Sequence, residues 1–334
     1  SGDFNDDDVI TGAGSSLSFT NNTENAYHVL ICSGDVGSAS LDGFTIIGGN
    51  ANDFTYQYVN GIMIDTFNGG GMHNASSLII TNTTFSGNYG YNGGGMFNNY
   101  FSLVITNTNF SENIANYGGG MLNFYNSAAV ITNSTFSGNN AVYGGGMCNE
   151  SSSLDISNNT FIGNSAKYSS DVMANFYNSS LNIYNSIVWG ELYSNSFSST
   201  LDIQYSLIEG SSDTSNGNLD ATGLTETDIF TDPTNGDYSL KDSSVAINAA
   251  SNTLYTSVGG DLTNDVDIAG NARLVGSTLD IGAYENQPLQ LVPDTSNIVY
   301  VNKNVSGGTA DGSSWANAIP ELADALVWAK QNEA

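Results

Sequence analysis

Two acidic clusters are the first candidates for chemistry, because carboxylate and amide oxygens are the ligands that Ca²⁺ prefers. The first cluster holds Asp3, Asn5 and Asp7 near the start of the chain. An EF-hand loop that begins at Asp3 would need glycine at Asp8 and glutamate at Gly14, so that motif is excluded. We expect each cluster to be either a structural Ca²⁺ site or a solvated acidic turn. The second cluster consists of Asp261, Asn264, Asp265 and Asp267.

Catalytic groups are scarce. The chain has 5 Lys and Arg residues, whereas a polysaccharide lyase needs a basic residue beside its metal and a hydrolase needs paired carboxylates. His28 and His73 stand at no triad or metal-ligand spacing, so we interpret them as structural. The sequence therefore predicts no catalytic residue and no cofactor beyond structural Ca²⁺. The carboxylates of the repeats described next fall at unrelated positions: Glu112, Glu150, Asp155 and Asp171.

A sequence repeat of about 25 residues organises the part of the chain between the two acidic clusters. The pattern Met-x-Asn returns every 24 to 26 residues. A triple glycine precedes its first four copies, and an apolar-x-apolar-polar-Asn segment and a Phe-x-x-Asn segment follow at fixed offsets. Within each unit, apolar and polar residues alternate over short runs, which is the period of half-buried strands. The repeating methionines are Met72, Met96, Met121, Met147 and Met173.

Three short strands per unit predict an all-β fold, a right-handed parallel β-helix with a rise of about 4.8 Å per coil. The repeated apolar side chains, methionines included, should fill the bore. Stacking places equivalent residues above one another, so asparagine amides should hydrogen-bond as two ladders along the axis. One ladder is Asn74, Asn98, Asn123, Asn149 and Asn175, and the other is Asn82, Asn107, Asn133, Asn158 and Asn185.

An aromatic residue precedes each repeating methionine by four or five positions, so the rings should form one column. We interpret the column either as a packing seam or as a platform for sugar rings or a protein partner. After Phe67, its members are Tyr91, Tyr117, Tyr143 and Tyr168.

Composition narrows the choice of partners. The net charge of -28 makes nucleic acid and anionic membrane surfaces poor partners, and leaves cations and neutral glycans. No apolar run could span a bilayer, and because the chain opens on Ser1 without a signal peptide we expect a mature or internal piece of a longer protein. Cys32 and Cys148 should lie several coils apart, which predicts two free, mostly buried thiols.

Two family resemblances extend this interpretation. Over residues 60–190, the paired Gly-Gly-x-x and Phe-x-x-Asn signals resemble the repeats of chlamydial polymorphic outer-membrane proteins, which are β-helical surface adhesins. The closing segment is similar to that of secreted bacterial β-helix proteins of the "choice-of-anchor" type, large cell-surface adhesins that are common in Bacteroidota. Both resemblances imply an extracellular, adhesive β-helix. The second is carried by residues 237–240, 244–249, 267–273 and 280–285.

The end of the chain resembles the opening of a β-helix in the second family, through the element Gly312-Ser313-Ser314-Trp315-Ala316 and a helix that begins at Pro320. We therefore expect residues 298–334 to cap either this coil or a neighbouring copy of the module, with Tyr300, Trp315, Leu322 and Leu326 at the contact. The expected organisation is a β-helix over 1–210, a non-repetitive cap over 211–286, a linker over 287–297 and this terminal strand and helix.

The sequence thus predicts a non-enzymatic extracellular structural and adhesive module of a large repetitive bacterial surface protein. Its expected partners are neighbouring copies, joined head to tail, and surface glycans or cell-surface proteins. A self-assembling filament subunit and a carbohydrate-active β-helix enzyme are the alternatives, since the fold alone does not decide between them.

Overall fold

The computed structural model of the protein describes residues 1–34, 37, 39–194, 198–287, 291–305, 311–319 and 322–331. The chain forms two compact units, Ser1–Asn286 and Gln287–Ala334, which we describe separately. The first unit confirms the predicted fold class. It is a parallel β-helix in which each coil contributes one strand to each of three seven-stranded sheets.

The three sheets follow one another along every coil. Sheet 1, which carries the Met-x-Asn pattern, consists of Leu30–Ser33, Met72–Ala75, Met96–Asn99, Met121–Phe124, Met147–Glu150, Met173–Phe176 and Leu192–Ser194. Sheet 2 consists of Ser40–Asp42, Leu78–Thr81, Ser102–Thr106, Ala128–Thr132, Ser153–Ser157, Ser180–Tyr184 and Thr200–Gln204. Sheet 3 consists of Thr45–Ile47, Thr84–Ser86, Asn109–Ser111, Thr135–Ser137, Thr160–Ile162, Ile187–Val188 and Leu207–Ile208.

The coils stack in register around an apolar bore. Met96 pairs with Met72 on one side and Met121 on the other. Because side chains alternate across a strand, the repeated Met, Leu, Ile and Phe residues all point inward and form one continuous core. The methionines are fully buried there, as predicted. The repeat phenylalanines stack with ring centroids 4.6 to 4.9 Å apart: Phe85, Phe110, Phe136 and Phe161.

The triple glycines allow neighbouring coils to approach closely. Gly93, the first glycine of its triplet, has φ of 60°, a left-handed conformation that side chains disfavour. Gly95, the third, faces the carbonyl of Gly120 so closely that an added Cβ would lie 2.6 Å from that oxygen. A side chain at this position would therefore push the two coils apart.

Two asparagine ladders run along the coil. In the predicted one, the amide of Asn74 donates to Asn98 over 2.8 Å, Asn98 donates to Asn123 over 3.1 Å, and Asn123 donates to Asn149 over 3.0 Å. The ladder ends there, because the amide of Asn149 does not continue it and that of Asn175 donates to the carbonyl of Thr200 over 3.1 Å, so the predicted last link was wrong. A second ladder, which the sequence analysis did not predict, joins the Phe-x-x-Asn residues over 2.9 to 3.0 Å. Buried amides that satisfy one another in this way fix the register of the coils. The members of the second ladder are Asn88, Asn113, Asn139 and Asn164.

The ladder that we predicted from Asn82 to Asn185 is interrupted, so this prediction was wrong in part. Asn185 donates to Asn158 over 3.2 Å, but Asn158 itself donates to the backbone carbonyl of Asp280 over 3.0 Å. Asn133 likewise donates to the hydroxyl of Tyr255 over 2.8 Å. This column lies at a left-handed corner, where φ is 48° to 57° and asparagine is favoured. Its amides are therefore available to the closing segment.

The closing segment contains short elements after the last coil: α-helices Glu226–Ile229 and Asn252–Ser257, strands Phe230–Asp232 and Asp237–Leu240, and 3₁₀ turns Ser215–Gly217 and Pro233–Asn235. Leu219 bridges to Leu207, which continues the coil. However, Gly282 donates to the carbonyl of Asn185 over 2.8 Å, and Ala283 donates to the hydroxyl of Thr160 over 3.0 Å. The segment thus also folds back along the side of the coil, beyond the end cap that we expected.

Two antiparallel hairpins, one before the first coil and one inserted after it, add to the coil in the described part of the chain. The first, Val9–Thr11 with Ser18–Thr20, encloses a 3₁₀ turn at Gly14–Ser16. The second, Tyr56–Val59 with Ile62–Asp65, is inserted between the first and second coils. Short parallel pairs also join Asn50–Ala51 to Tyr89–Gly90 and Asn140–Tyr143 to Ser165–Ser169.

The second unit is small. Val301 and Ile319 form an isolated parallel bridge, and an α-helix spans Leu322–Gln331. The carboxylate of Asp294 accepts hydrogen bonds from the backbone of Ile298 and the hydroxyl of Tyr300, so part of the expected linker folds with this unit. Pro320, at which we expected the helix to begin, lies outside the described residues. None of the helices in the described ranges has the length and apolarity needed to cross a membrane.

Candidate functional site

The outer face of sheet 1 is unusually apolar. Because Met and Asn of each Met-x-Asn strand point inward, the middle residue points outward. Four of these outward residues, Phe97, Leu122, Cys148 and Ala174, form a buried cluster of their own, outside the bore. They are covered by the partly buried rings of Tyr117, Phe124, Tyr143 and Phe176.

Further rings extend this cluster to the surface. Tyr125 packs 4.1 Å from Phe124, and Tyr100 stacks 5.8 Å from Tyr125. Tyr177 lies 6.2 Å from Phe176. Tyr100, Tyr125 and Tyr177 are 57%, 42% and 52% exposed, so solvent reaches these rings although they belong to a packed array. We call the whole array the aromatic face: Phe97, Tyr100, Tyr117, Phe124, Tyr125, Tyr143, Tyr168, Phe176 and Tyr177.

The single aromatic column that we expected is divided in two. Tyr117 stacks on Tyr143 at 5.2 Å, and Tyr143 contacts Tyr168 at 5.7 Å. The backbone partner of Tyr117 in the preceding coil is Asn92, however, and Tyr91 contacts Phe67 at 6.2 Å. The column was predicted wrongly because the backbone places Asn92, and not Tyr91, in register with Tyr117, and the ring of Tyr91 packs against Phe67. Tyr91 therefore belongs to a separate cluster with Phe54, 5.1 Å away.

Tyr100, Tyr125 and Tyr177 were missed by the sequence analysis, although each follows a repeating methionine by four residues. All three have positive φ, between 36° and 66°, a conformation that is rare for bulky side chains. They stand at the turn that leaves sheet 1, and this turn aims their rings away from the bore. A search for residues at a constant offset after the methionine would have found them.

Two ionisable groups border the aromatic face. Glu150 pairs in register with Phe124 and Phe176, and burial raises the pKa of its carboxyl group. The ammonium of Lys167 lies 5.1 Å from the centroid of the Tyr168 ring, a cation–π distance. The other repeat carboxylates lie elsewhere: Asp155 accepts from Asn182 on sheet 2, and Asp171 accepts from the backbone of Ala166.

The two histidines lie together and tie the inserted hairpin to the coil. Their rings are 5.6 Å apart. The ring nitrogens of His28 lie 2.9 and 2.8 Å from the carbonyl oxygens of Gly69 and Asp65, and Nε2 of His73 is 3.7 Å from the Asp65 carboxylate. Burial lowers the pKa of His28. The polar contacts of both histidines are therefore made to groups of the inserted hairpin and the coil, which fits the structural role that we predicted.

At the chain start, Asp3, Asp7 and Glu24 bring one ligand atom each within 4.8 Å of one another. Glu24 was not among the expected ligands, because it is distant in sequence. Asn5 donates its backbone N–H to Asp3, whose carboxylate also accepts from Asp6 and Asp8. A structural Ca²⁺ at this turn stays a prediction.

The second acidic cluster is occupied by hydrogen bonds of the fold. The side-chain amide of Asn264 donates to Asp261 over 2.7 Å, and the hydroxyl of Tyr255 donates to Asp265 over 2.6 Å. Asp267 is buried and accepts from three backbone N–H groups. These bonds explain the acidic residues as turn and cap formers, and a metal at this cluster also stays a prediction.

The expected intermodule residues show an exposed apolar surface within the second unit. The ring of Tyr300 meets that of Trp315 at 5.0 Å. Trp315, Leu322 and Leu326 are each at least 60% exposed. Cys32 and Cys148 are both free, as predicted, and Cys148 is buried.

Comparison with known proteins adds no relative: no protein family, no curated protein and no solved structure matches this chain.

Proposed function

We propose that the chain is a non-enzymatic structural and adhesive module of a large bacterial surface protein, and that the aromatic face is its adhesive surface. One observation carries the proposal: a packed array of rings ends in three exposed tyrosines that repeat along the coil. Contiguous apolar surface of this kind marks interaction sites on soluble proteins.

The conformation of these tyrosines supports a binding role. A left-handed backbone costs a non-glycine residue about 1–2 kcal/mol. Many other corners of this coil avoid that cost with glycine or reduce it with asparagine, although Ser151 holds the same corner with φ of 51° in the coil between Tyr125 and Tyr177. Strain retained at Tyr100, Tyr125 and Tyr177 is typical of positions that serve a ligand. Each of these rings also packs against a neighbouring ring, which reduces the conformational entropy that it loses on binding.

Tyrosine suits the expected partners. Each ring offers an apolar face for a sugar ring or an aliphatic side chain, and a hydroxyl for hydrogen bonding. The excess of acidic over basic residues disfavours anionic surfaces. An extracellular location follows from the family resemblances described above and forms part of the proposal.

A bead-adhesion assay tests this proposal. Beads coated with the wild-type chain are applied to a panel of bacterial and epithelial cell surfaces, beside a Tyr100→Ser, Tyr125→Ser, Tyr177→Ser triple variant. Val104→Ser, an exposed apolar residue on sheet 2, is the matched control. We expect adhesion to be lost in the triple variant and kept in the control. Equal adhesion of all three proteins, or none to any surface, would refute the proposal.

A head-to-tail array is the second candidate, favoured by the open start of the coil. Among the described residues, Leu30–Ser33, Ser40–Asp42 and Thr45–Ile47 pair with strands on one side only. Unpaired strand edges are association sites. Leu30 and Leu41 of the first coil are only partly buried, and the exposed Trp315, Leu322 and Leu326 offer an apolar surface to pack against this end of the bore. Electron microscopy tests this candidate. Rods that are lost in a Trp315→Ser, Leu326→Ser variant would support joining through residues 298–334, while isolated monomers at high concentration would contradict it.

A further inference from the structure

An open groove lies on the outer face of sheet 3, away from the aromatic face. Its volume is about 520 Å³, and its floor is formed by outward residues of three successive coils, Thr84, Asn109 and Thr135. Ser111 and Ser137 stand beside them in a second column. We call it the sheet 3 groove.

The sequence divides sheet 3 into a polar part and an apolar part. In the coil that follows Ser137, the residue in register with it is Ile162. Two coils after Thr135, the residue at the same position of the strand is Ile187. Ile162 and Ile187 are buried in the core of the closing segment. The outward residues therefore become apolar where the closing segment covers them and stay polar in front of it.

The groove has fixed walls. Tyr238 and Tyr284 of the closing segment stand at one side. Ala283, next to Tyr284, donates its backbone N–H to the hydroxyl of Thr160 over 3.0 Å. Ala13 of the N-terminal hairpin lines the groove as well, and the backbone of Gly14 donates to Gly138 over 2.9 Å. These contacts hold the walls in place without a ligand, so the site is preorganised.

Polar groups in the groove are only partly satisfied by the fold. The hydroxyl of Thr135 donates to Asn109 over 2.8 Å. The amide of Asn109 reaches Ser111 only at 3.5 Å, which is a weak contact. Oδ1 of Asn107 is shielded from solvent and has no hydrogen-bond partner. Because water does not reach this oxygen, a ligand hydroxyl does not reach it either, and the weakly held amide of Asn109 is the group that a ligand would engage.

Glu112 marks the same groove. It occupies the corner position that Gly87, Gly138 and Gly163 hold in other coils, and it has φ of 55°. A glutamate in this conformation is strained, and such strain points to a function for the side chain. Its carboxylate can accept hydrogen bonds from two neighbouring hydroxyls.

We propose that the sheet 3 groove binds a short stretch of uncharged, unbranched glycan that lies along the coil axis. Hydroxyl and amide groups repeat at the strand spacing of about 4.8 Å, close to the length of one sugar residue in an extended chain. The phenol rings of Tyr238 and Tyr284 offer apolar surface to a sugar ring. The lining contains one carboxylate and no Lys or Arg, which favours a neutral glycan over an acidic one.

The groove binds the glycan and does not cleave it. Glycoside hydrolysis needs a carboxylic acid and a second carboxylate on either side of the bond, and the lining supplies Glu112 alone. This inference is independent of the adhesive role of sheet 1, because the two sites use different faces of the coil.

Titration calorimetry with linear tetrasaccharides of xylose, mannose and β-linked glucose tests the inference, with a galacturonic acid oligomer as the charged comparison. We expect at least one neutral oligomer to bind with a Kd of about 0.1–1 mM. Asn109→Trp, which fills the groove, should abolish binding, and Glu112→Gln should weaken it about tenfold. Val104→Ser, an exposed residue of sheet 2 that belongs to neither site, should leave it unchanged.

Circular dichroism and thermal melts establish that each variant is folded, and the conservative Glu112→Gln keeps the test valid if Asn109→Trp does not fold. Failure of all neutral oligomers to bind would overturn the proposal, as would tighter binding of the galacturonic acid oligomer. Unchanged binding in Glu112→Gln, or equal losses in Glu112→Gln and Val104→Ser, would also overturn it. The adhesion assay on the triple tyrosine variant tests the aromatic face, and its outcome does not depend on the result for the sheet 3 groove.

Discussion

The oxygen of the Asn139 side chain accepts two hydrogen bonds from Asn113, one from its side-chain amide and one from its backbone N–H, both over 3.0 Å. The same amide of Asn113 also donates to the carbonyl of Phe85 in the preceding coil, over 2.9 Å. One asparagine therefore joins three successive coils, and it does so at the corner after the phenylalanine strand.

The stability of the coil should depend on this ladder. We expect Asn113→Ala to lower the free energy of unfolding by about 2–4 kcal/mol, because several buried donors and acceptors lose their partners together. Asn116→Ala, a partly exposed asparagine in the same coil, should change it by about 0.5 kcal/mol or less. Urea denaturation measures both values. Equal values for the two variants would show that the ladder does not stabilise the coil.

We expect Glu112 to lower the stability of the fold while it contributes to binding in the sheet 3 groove. Glu112→Gly relieves a left-handed glutamate and should raise the free energy of unfolding by about 1 kcal/mol, while it removes the carboxylate from the sheet 3 groove. Gly138→Ala, at the equivalent corner, should lower stability because its φ is 63°. Thermal melts of the three proteins give the comparison. A loss of stability in Glu112→Gly would mean that the corner is not strained.

The closing segment should make the protein less stable as the pH rises towards neutrality. Burial raises the pKa of Glu285 from 4.5 to about 7, although Arg273 at 3.3 Å opposes the shift. Since the folded state then binds the proton more tightly than the unfolded state, this contribution is complete below pH 4.5 and is lost as the pH rises through 7. Burial also raises the pKa of Asp280, which acts in the same direction.

Urea denaturation at several pH values measures this effect. The free energy of unfolding should fall by up to about 3 kcal/mol between pH 4.5 and 7, and Glu285→Gln should remove most of this slope. Asp228→Asn, in the short helix Glu226–Ile229, serves as the control because its pKa lies below the usual value through hydrogen bonds to Thr225. A slope that persists in Glu285→Gln would assign the effect to other groups.

The two thiols should differ in reactivity. Burial raises the pKa of both Cys32 and Cys148, and Cys148 is completely buried beneath the aromatic face. Since the thiolate is the reactive form, a thiol-specific reagent should label Cys32 slowly and Cys148 only after unfolding. Mass spectrometry of the labelled peptides separates the two sites. Equal labelling rates in the native protein would contradict the packing of the outer face of sheet 1.

The fold could be predicted because the repeat is local and periodic. The offset of Asn74 from Met72 fixes which side chains point inward, and stacking then fixes the ladder with Asn98. The break at Asn133 could not be predicted in this way. Its amide is used by Tyr255, a residue of the non-repetitive segment, and no period in the sequence links the two.

The candidate sites also divide into residues that the repeat places and residues that it does not. Tyr117 and Tyr143 were found through their offset from the methionines, whereas the ring of Tyr91 packs against Phe67. The lining of the sheet 3 groove combines Tyr238 and Ser137, which come from distant parts of the chain. Residues of one repeat can be placed from the sequence, while walls made by different segments require the structure.

Tyrosine footprinting tests the central claim most directly. The wild-type chain is nitrated with tetranitromethane, free and bound to the cells to which the beads adhere, and the modified residues are identified by mass spectrometry. Adhesion through the aromatic face predicts protection of Tyr100, Tyr125 and Tyr177 in the bound state, with exposed Tyr58 labelled equally in both. Protection of Tyr58, with Tyr100, Tyr125 and Tyr177 labelled as in the free protein, would contradict it.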